Sequence, residues 1–120
     1  MLATMGAADA QDSYPDLRGT WTGTTDQVLF DESGASIFRS VPLTIEILEQ
    51  RDRRFTGRVQ VEQYDLRILG VFVDETTLRW AEPSGFAEAR LTGPDSFEAC
   101  FLRLAELSKI AACQTMTRQE

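Results

Sequence analysis

The chain has 120 residues, 42% of them hydrophobic, and a formal charge of −7. That length suits one domain with a modest core, and that hydrophobic fraction is too high for a disordered chain. The spread of Asp and Glu along the chain disfavours nucleic acid and anionic lipid as partners, and no stretch approaches the ~20 apolar residues of a membrane helix.

At the N-terminus, "MLATMGAADAQD" is small and apolar and then turns polar. Ala8, Asp9 and Ala10 followed by Gln11 fit the small-x-small pattern of a signal-peptidase site. Residues 1–10 are therefore expected to be the residue of an export signal or a flexible terminus, and 11–120 a single domain.

From there turn signals recur at short intervals: "DESGAS" at 31–36, "EQRDRR" at 49–54, "QYD" at 63–65, "DET" at 74–76, "EPSG" at 82–85, "TGPD" at 92–95 and "AELSK" at 105–109. Between them lie eight runs rich in Val, Ile, Leu, Phe, Thr and Trp, at 18–29, 38–48, 54–62, 66–73, 77–82, 86–92, 96–104 and 110–118. No segment holds a helical period over three turns. Eight short strands joined by hairpins predict an all-β fold, an antiparallel up-and-down barrel or a small sandwich. Alternation assigns the inner face: Val41, Leu43, Ile45 and Ile47 in the second strand, Phe55, Gly57, Val59 and Val61 in the third, Leu66, Ile68, Gly70 and Phe72 in the fourth. The fourth strand also carries Leu69, Val71 and Val73 on its other face, which suggests an oligomer contact.

Both cysteines lie in the last two strands. A hairpin turning at 105–108 places Cys100 opposite Cys113, Phe97 opposite Met116 and Phe101 opposite Ala112. Opposed Cβ atoms stand about 4.5–5.5 Å apart, near disulfide range. A disulfide staple is favoured over a zinc site, because there is no His and no third Cys, and over a reactive thiol, because no activating base is evident. A disulfide in turn favours an oxidising compartment, periplasmic or secreted.

The first strand opens "LRGTWTGTT" and the last closes "CQTMTR". Here the chain resembles the calycins, the lipocalin- and avidin-like barrels, whose shared mark is a Gly-x-Trp at the start of strand one and an Arg near the end of the last. In this sequence these are Gly19, Trp21 and Arg118. The resemblance implies a structural plug, with the Trp filling one barrel end and the Arg packed across it. Together with "RRFTGRV", "LRILGVF", "FEACFLR" and "KIAACQTMTR", the chain is similar to an uncharacterised family of small exported bacterial barrel proteins. That likeness implies export, an all-β fold and a paired-cysteine hairpin, and no activity. The chain departs from that pattern in a shorter first loop without histidines and in "QRDRR" at a turn, so no site in that loop is carried over.

The absence of His removes the usual Ser-His-Asp and Cys-His machinery. Asp31 with Glu32 and Asp74 with Glu75 fall in turns, where solvated charge is the default, and no Walker loop or GxGxxG is present. "RDRR" at 51–54 reads as a solvated hairpin tip. No catalytic residue, metal site or cofactor is expected. The ligand-lining candidates are Tyr64, Phe72, Arg79, Trp80 and Phe86 near one barrel mouth, with core filling the competing role for Trp80. An avidin-type aromatic cage cannot be matched when one of two tryptophans is the plug. The expectation is a non-enzymatic exported barrel binding a small apolar or amphipathic molecule. The alternative is a protein-interaction module, an inhibitor of an exported hydrolase or an accessory subunit of an envelope complex, docking through "DESGASIFRS" at 31–40 with Ile37 and Phe38 as anchors. A barrel-confined isomerase or cyclase is compatible with the same fold.

Overall fold

The computed structural model describes residues 14–104 and 109–120. The expected export remnant at 1–10 and the centre of the last hairpin turn, 105–108, lie outside the described residues. Eight strands follow in order: β1 (Gly19–Phe30), β2 (Ser36–Arg51), β3 (Arg54–Val61), β4 (Tyr64–Phe72), β5 (Thr77–Glu82), β6 (Gly85–Gly93), β7 (Ser96–Arg103) and β8 (Ile110–Arg118). Each pairs antiparallel with its chain neighbours, and β8 pairs with β1 from Trp21↔Arg118 to Leu29↔Ile110, closing an up-and-down barrel. The eight expected strands are all present.

Their boundaries differ most in β2, which starts two residues earlier and runs three further than its apolar run. The end is extended by a bulge between Ile47 and Glu49, which leaves Leu48 exposed and returns Gln50 to the inner side opposite Phe55. The start is extended by the β1–β2 hairpin, which continues past the rest of the barrel. β2 meets β3 only from Leu43, so 36–42 has a neighbour on one side alone. The expected loop at 31–40 is thus corrected: only 31–35 is turn, and Ile37 and Phe38 are strand residues. The turn is held by Asp31, whose Oδ1 accepts from the backbone N–H of Ser33 and Ala35. These bonds hold its carboxyl below the usual range, after the larger effect of the Ser33 hydroxyl. The β2–β3 turn lacks glycine, and Asp52 adopts a φ of 50° there while accepting from the Arg53 N–H and the Arg54 guanidinium.

Alternation sends one face of every strand inward. Trp21, Ile45, Ile68, Phe72, Leu78, Phe97 and Met116 are almost wholly buried. The large rings gather toward one end. Phe97 touches Trp21 with ring centroids 4.8 Å apart and Trp80 at 6.1 Å, while Phe55 and Phe72 meet at 6.3 Å. Gly70 has no room for a Cβ because the Phe55 ring lies across it.

That end is shut. The Arg118 guanidinium stands 4.4 Å over the Trp21 ring. Its Nη1 donates to the Arg18 carbonyl, Nη2 to the Asp16 and Pro94 carbonyls, and Nε to Asp95 Oδ1, all within 3.0 Å. The Trp21 Nε1–H donates to the Leu17 carbonyl at 2.9 Å, tying down the entering chain. Gly19 has a φ of +132°, open only to glycine, and the Arg118 side chain crosses it. These contacts give Gly19, Trp21 and Arg118 a shared structural place.

The bridge Cys100–Cys113 joins directly opposed residues of β7 and β8 on the outer face. Replacing both cysteines with Ala should cost about 2–4 kcal/mol, read by chemical denaturation, with the far-UV spectrum retained because the bridge closes only a local hairpin. Arg118→Lys keeps the charge but loses the fork. It should cost about 2–4 kcal/mol, given roughly 1.5–3 per charged hydrogen bond and incomplete additivity. An unchanged melting temperature in that variant would show that the clasp contributes nothing.

Candidate functional site

The opposite end is built differently. There the inward positions are small or β-branched: Thr25, Val59, Val61 and Ala112, with Leu43, Ile45, Leu66, Phe101 and Ile110 around them. They leave a cavity of about 200 Å³ at the mouth, above the aromatic packing of the closed end. Five polar side chains converge on it from the same inward alternation: Thr25, Gln27, Glu82, Arg103 and Gln114. Thr25 on β1 donates its hydroxyl to Gln114 Oε1 on β8 at 3.0 Å, and both residues are buried. Glu82 ends β5, two positions after the inward Trp80. Arg103 ends β7, two positions after Phe101. Tyr64 and Ser84 sit at the rim.

Burial pushes the Glu82 carboxyl up from its ordinary value. Two effects oppose that rise: the Trp80 indole N–H, which donates to Glu82 Oε2 at 2.9 Å, and the charge of Arg103. Arg103 is half-buried, and its Nε has no hydrogen-bond partner. The mouth therefore pairs an apolar wall with a hydrogen-bonding carboxyl, a primary amide and an unsaturated guanidinium. Such convergence of a few polar groups on an apolar hollow is the usual form of a small-molecule site.

Of the five residues expected to line a mouth, the structure brings only Tyr64 to the cavity. Trp80, 3% exposed, fills the barrel beneath it and orients Glu82, acting through that carboxyl. Phe72 belongs to the closed end, against Phe55 and Tyr14. Arg79 and Phe86 point outward, Arg79 donating to Glu88 at 2.8 Å and Phe86 lying 48% exposed. The outward placement of Arg79 and Phe86 has a simple origin. Residue type suggested these two, whereas parity with the inward Leu78, Trp80 and Ala87 excludes them. The same parity marks Glu82 and Arg103 as inward charges, a signal present in the sequence.

Arg79 and Phe86 instead border a groove of about 560 Å³ on the outer surface, floored by Leu69, Val71 and Ala81 and edged by Arg51 and Arg54. Among the described residues no group of three or more His, Cys, Asp or Glu could hold a metal ion, and no helix is long and apolar enough to cross a membrane.

No protein-family model matches the chain, and no curated protein matches it. Among solved structures, a redesigned β-barrel is similar over 92% of this chain and 96% of its own, with a TM-score of 0.55 and 16% identity. Transferrin binding protein B, isotype 1, from serogroup B Neisseria meningitidis is similar over 93% of this chain, with a TM-score of 0.60 and 8% identity. The match spans 27% of that protein's length. A de novo designed fluorescence-activating β-barrel aligns at a TM-score of 0.48, too low to bear on function. The first two likenesses show the fold alone, in keeping with the closed eight-stranded antiparallel barrel of this chain.

Glu82→Gln tests the site's electrostatics. A carboxyl raised by burial binds its proton more tightly in the folded chain than in the unfolded one. Folding stability therefore falls as pH rises through the ordinary carboxylate range and past the raised value. The amide variant should melt higher than the parent at neutral pH and equal it in acid. Equal melting temperatures at both would contradict the assignment.

Proposed function

We propose that this chain is an exported, calycin-like, non-enzymatic barrel that takes one small amphipathic molecule into its open mouth. The observation that carries the reading is the asymmetry of the two ends. One is clasped shut by Arg118 over Trp21, and the other holds an apolar-walled hollow with Glu82, Arg103 and Gln114 turned into it. The Trp–Arg clasp on a Gly-x-Trp strand supports the calycin-like part. The disulfide supports export. The non-enzymatic part rests on the lining, whose described residues hold a single carboxyl already bonded to an indole.

Size restricts the ligand. A 150 Å³ apolar cavity accepts benzene, so about 200 Å³ accommodates roughly eight non-hydrogen atoms. At roughly 0.5–1 kcal/mol per atom the affinity lies between about millimolar and micromolar. Ligand-observed NMR with single-ring compounds suits that range. Binding should saturate at one equivalent and disappear in Ala112→Phe, which fills the hollow from β8, while the far-UV spectrum stays unchanged. Equal binding to the filled variant would refute the mouth as the site.

A second reading, docking of a protein partner on the outside, is favoured by one specific observation. An outward apolar row passes along paired positions from Leu69 and Ala81 through Phe86, Leu102, Ala111 and Val28 to Phe38. It ends on the projecting hairpin, where Phe38 is 79% exposed. In this reading Ile37 and Phe38 are the anchors, and Phe38→Ser should abolish capture of the partner without altering ligand binding at the mouth.

A further inference from the structure

The groups in the mouth are unequal in what they offer a ligand. Gln114 Oε1 is taken by the Thr25 hydroxyl, which leaves the amide N–H groups to the hollow. Glu82 Oε2 is taken by the Trp80 indole. Arg103 stands apart among the half-buried arginines of the described residues. Arg58 pairs with Asp65 and Arg118 with Asp95, whereas Arg103 makes no ion pair with another described residue; its buried Nε, like that of Arg58, has no acceptor.

We infer that the mouth selects small carboxylic acids, with an apolar body of one ring or a short branched chain against Leu43, Val59 and Phe101 and the carboxylate on the Arg103 guanidinium and the Gln114 amide. The inference rests on the small-ligand reading above. A half-buried guanidinium without a carboxylate partner among the described residues is costly, and an anionic ligand oxygen on its outer N–H groups lowers that cost. The planar guanidinium fork matches a carboxylate in two parallel bonds, which an alcohol or a ketone cannot reproduce. A cationic ligand would meet Arg103 across the same small space. A neutral one would bring the guanidinium no counter-charge.

Glu82 sets the pH dependence. Among the described residues, the charged or titratable groups that share the hollow with it are Arg103 from β7 and Tyr64 from the start of β4. Burial already favours the protonated carboxyl, and an entering anion favours it further. Acid binding is therefore strongest while Glu82 carries its proton and weakens as pH rises and that proton is lost.

The test compares benzoate, benzyl alcohol and benzylamine by ligand-observed NMR at about pH 5.5, where benzoate is ionised. The parent should bind benzoate at least about tenfold more tightly than the other two, as a charge-assisted fork requires. Arg103→Met should remove that preference while keeping benzyl alcohol within about twofold, and Arg103→Lys should lie between them. Glu82→Gln should retain benzoate and flatten its pH profile. If Arg103→Met does not fold, the benzoate-to-alcohol ratio of the parent and of Arg103→Lys decides. Preference for benzyl alcohol or benzylamine overturns the carboxylic-acid inference and leaves the small-ligand reading standing. Binding of none of the three overturns both.

Discussion

The seam between β1 and β8 is the constraint on which the rest of the molecule depends. An up-and-down sheet becomes a barrel only if its last strand finds its first, and here those strands are far apart in the chain. The Arg118–Trp21 stack sits at the end of that seam. One guanidinium there joins the ring to the carbonyls of Asp16, Arg18 and Pro94 and to the carboxylate of Asp95. It thus binds the entering segment, the first strand, the β6–β7 turn and the last strand at one point. Asp16, held down to about 2 mainly by its hydrogen bond from Arg18, keeps its charge beside this clasp into strong acid. Exposed pairs elsewhere on the barrel, such as Arg51 with Glu49, are worth little by comparison.

Closing one end so completely determines what the other can be. Trp21, Phe97, Trp80, Phe72 and Phe55 occupy the closed end and the middle of the barrel, so the alanines and β-branched residues of the far half are left to bound a hollow. A small eight-stranded barrel can be filled throughout. This one is filled over part of its length. The aromatic cluster lies beneath the hollow, and Trp80 connects the two through Glu82. Its ring packs on Phe97 and its N–H fixes Glu82. A ligand at the mouth and the packing beneath it are therefore joined through one indole.

The outer surface carries two further consequences of the strand count and stagger. The paired row that leaves β2 at Phe38 returns to the same strand at Glu49, so a line of equivalent positions spirals around the barrel. An apolar spiral on most strands gives the barrel an outside that can be covered as well as an inside that can be filled. The hairpin that outruns its neighbours exposes one strand edge over 36–42. Pro42 blunts that edge, and Arg39, paired with Glu62 at 2.9 Å, charges it.

The eight strands, their inner faces and the opposition of Cys100 to Cys113 were legible in the sequence because each follows from short-range rules. Side chains alternate with period two, and a hairpin turn sets the register on both sides of it. The clasp could be named only through the calycin resemblance, since nothing local joins Gly19 to Arg118. What the tertiary structure alone decided is which end is open and what faces it. Trp80 and Phe86 are equally attractive ligand residues by type, yet one supports the floor of the hollow and the other lies outside. Glu82 and Arg103, ordinary charges at strand ends in the sequence, become a site because closure brings β5 and β7 around the same hollow. The physical reason is that alternation sets the face of each residue strand by strand, whereas depth within a barrel depends on how all eight strands are staggered around it.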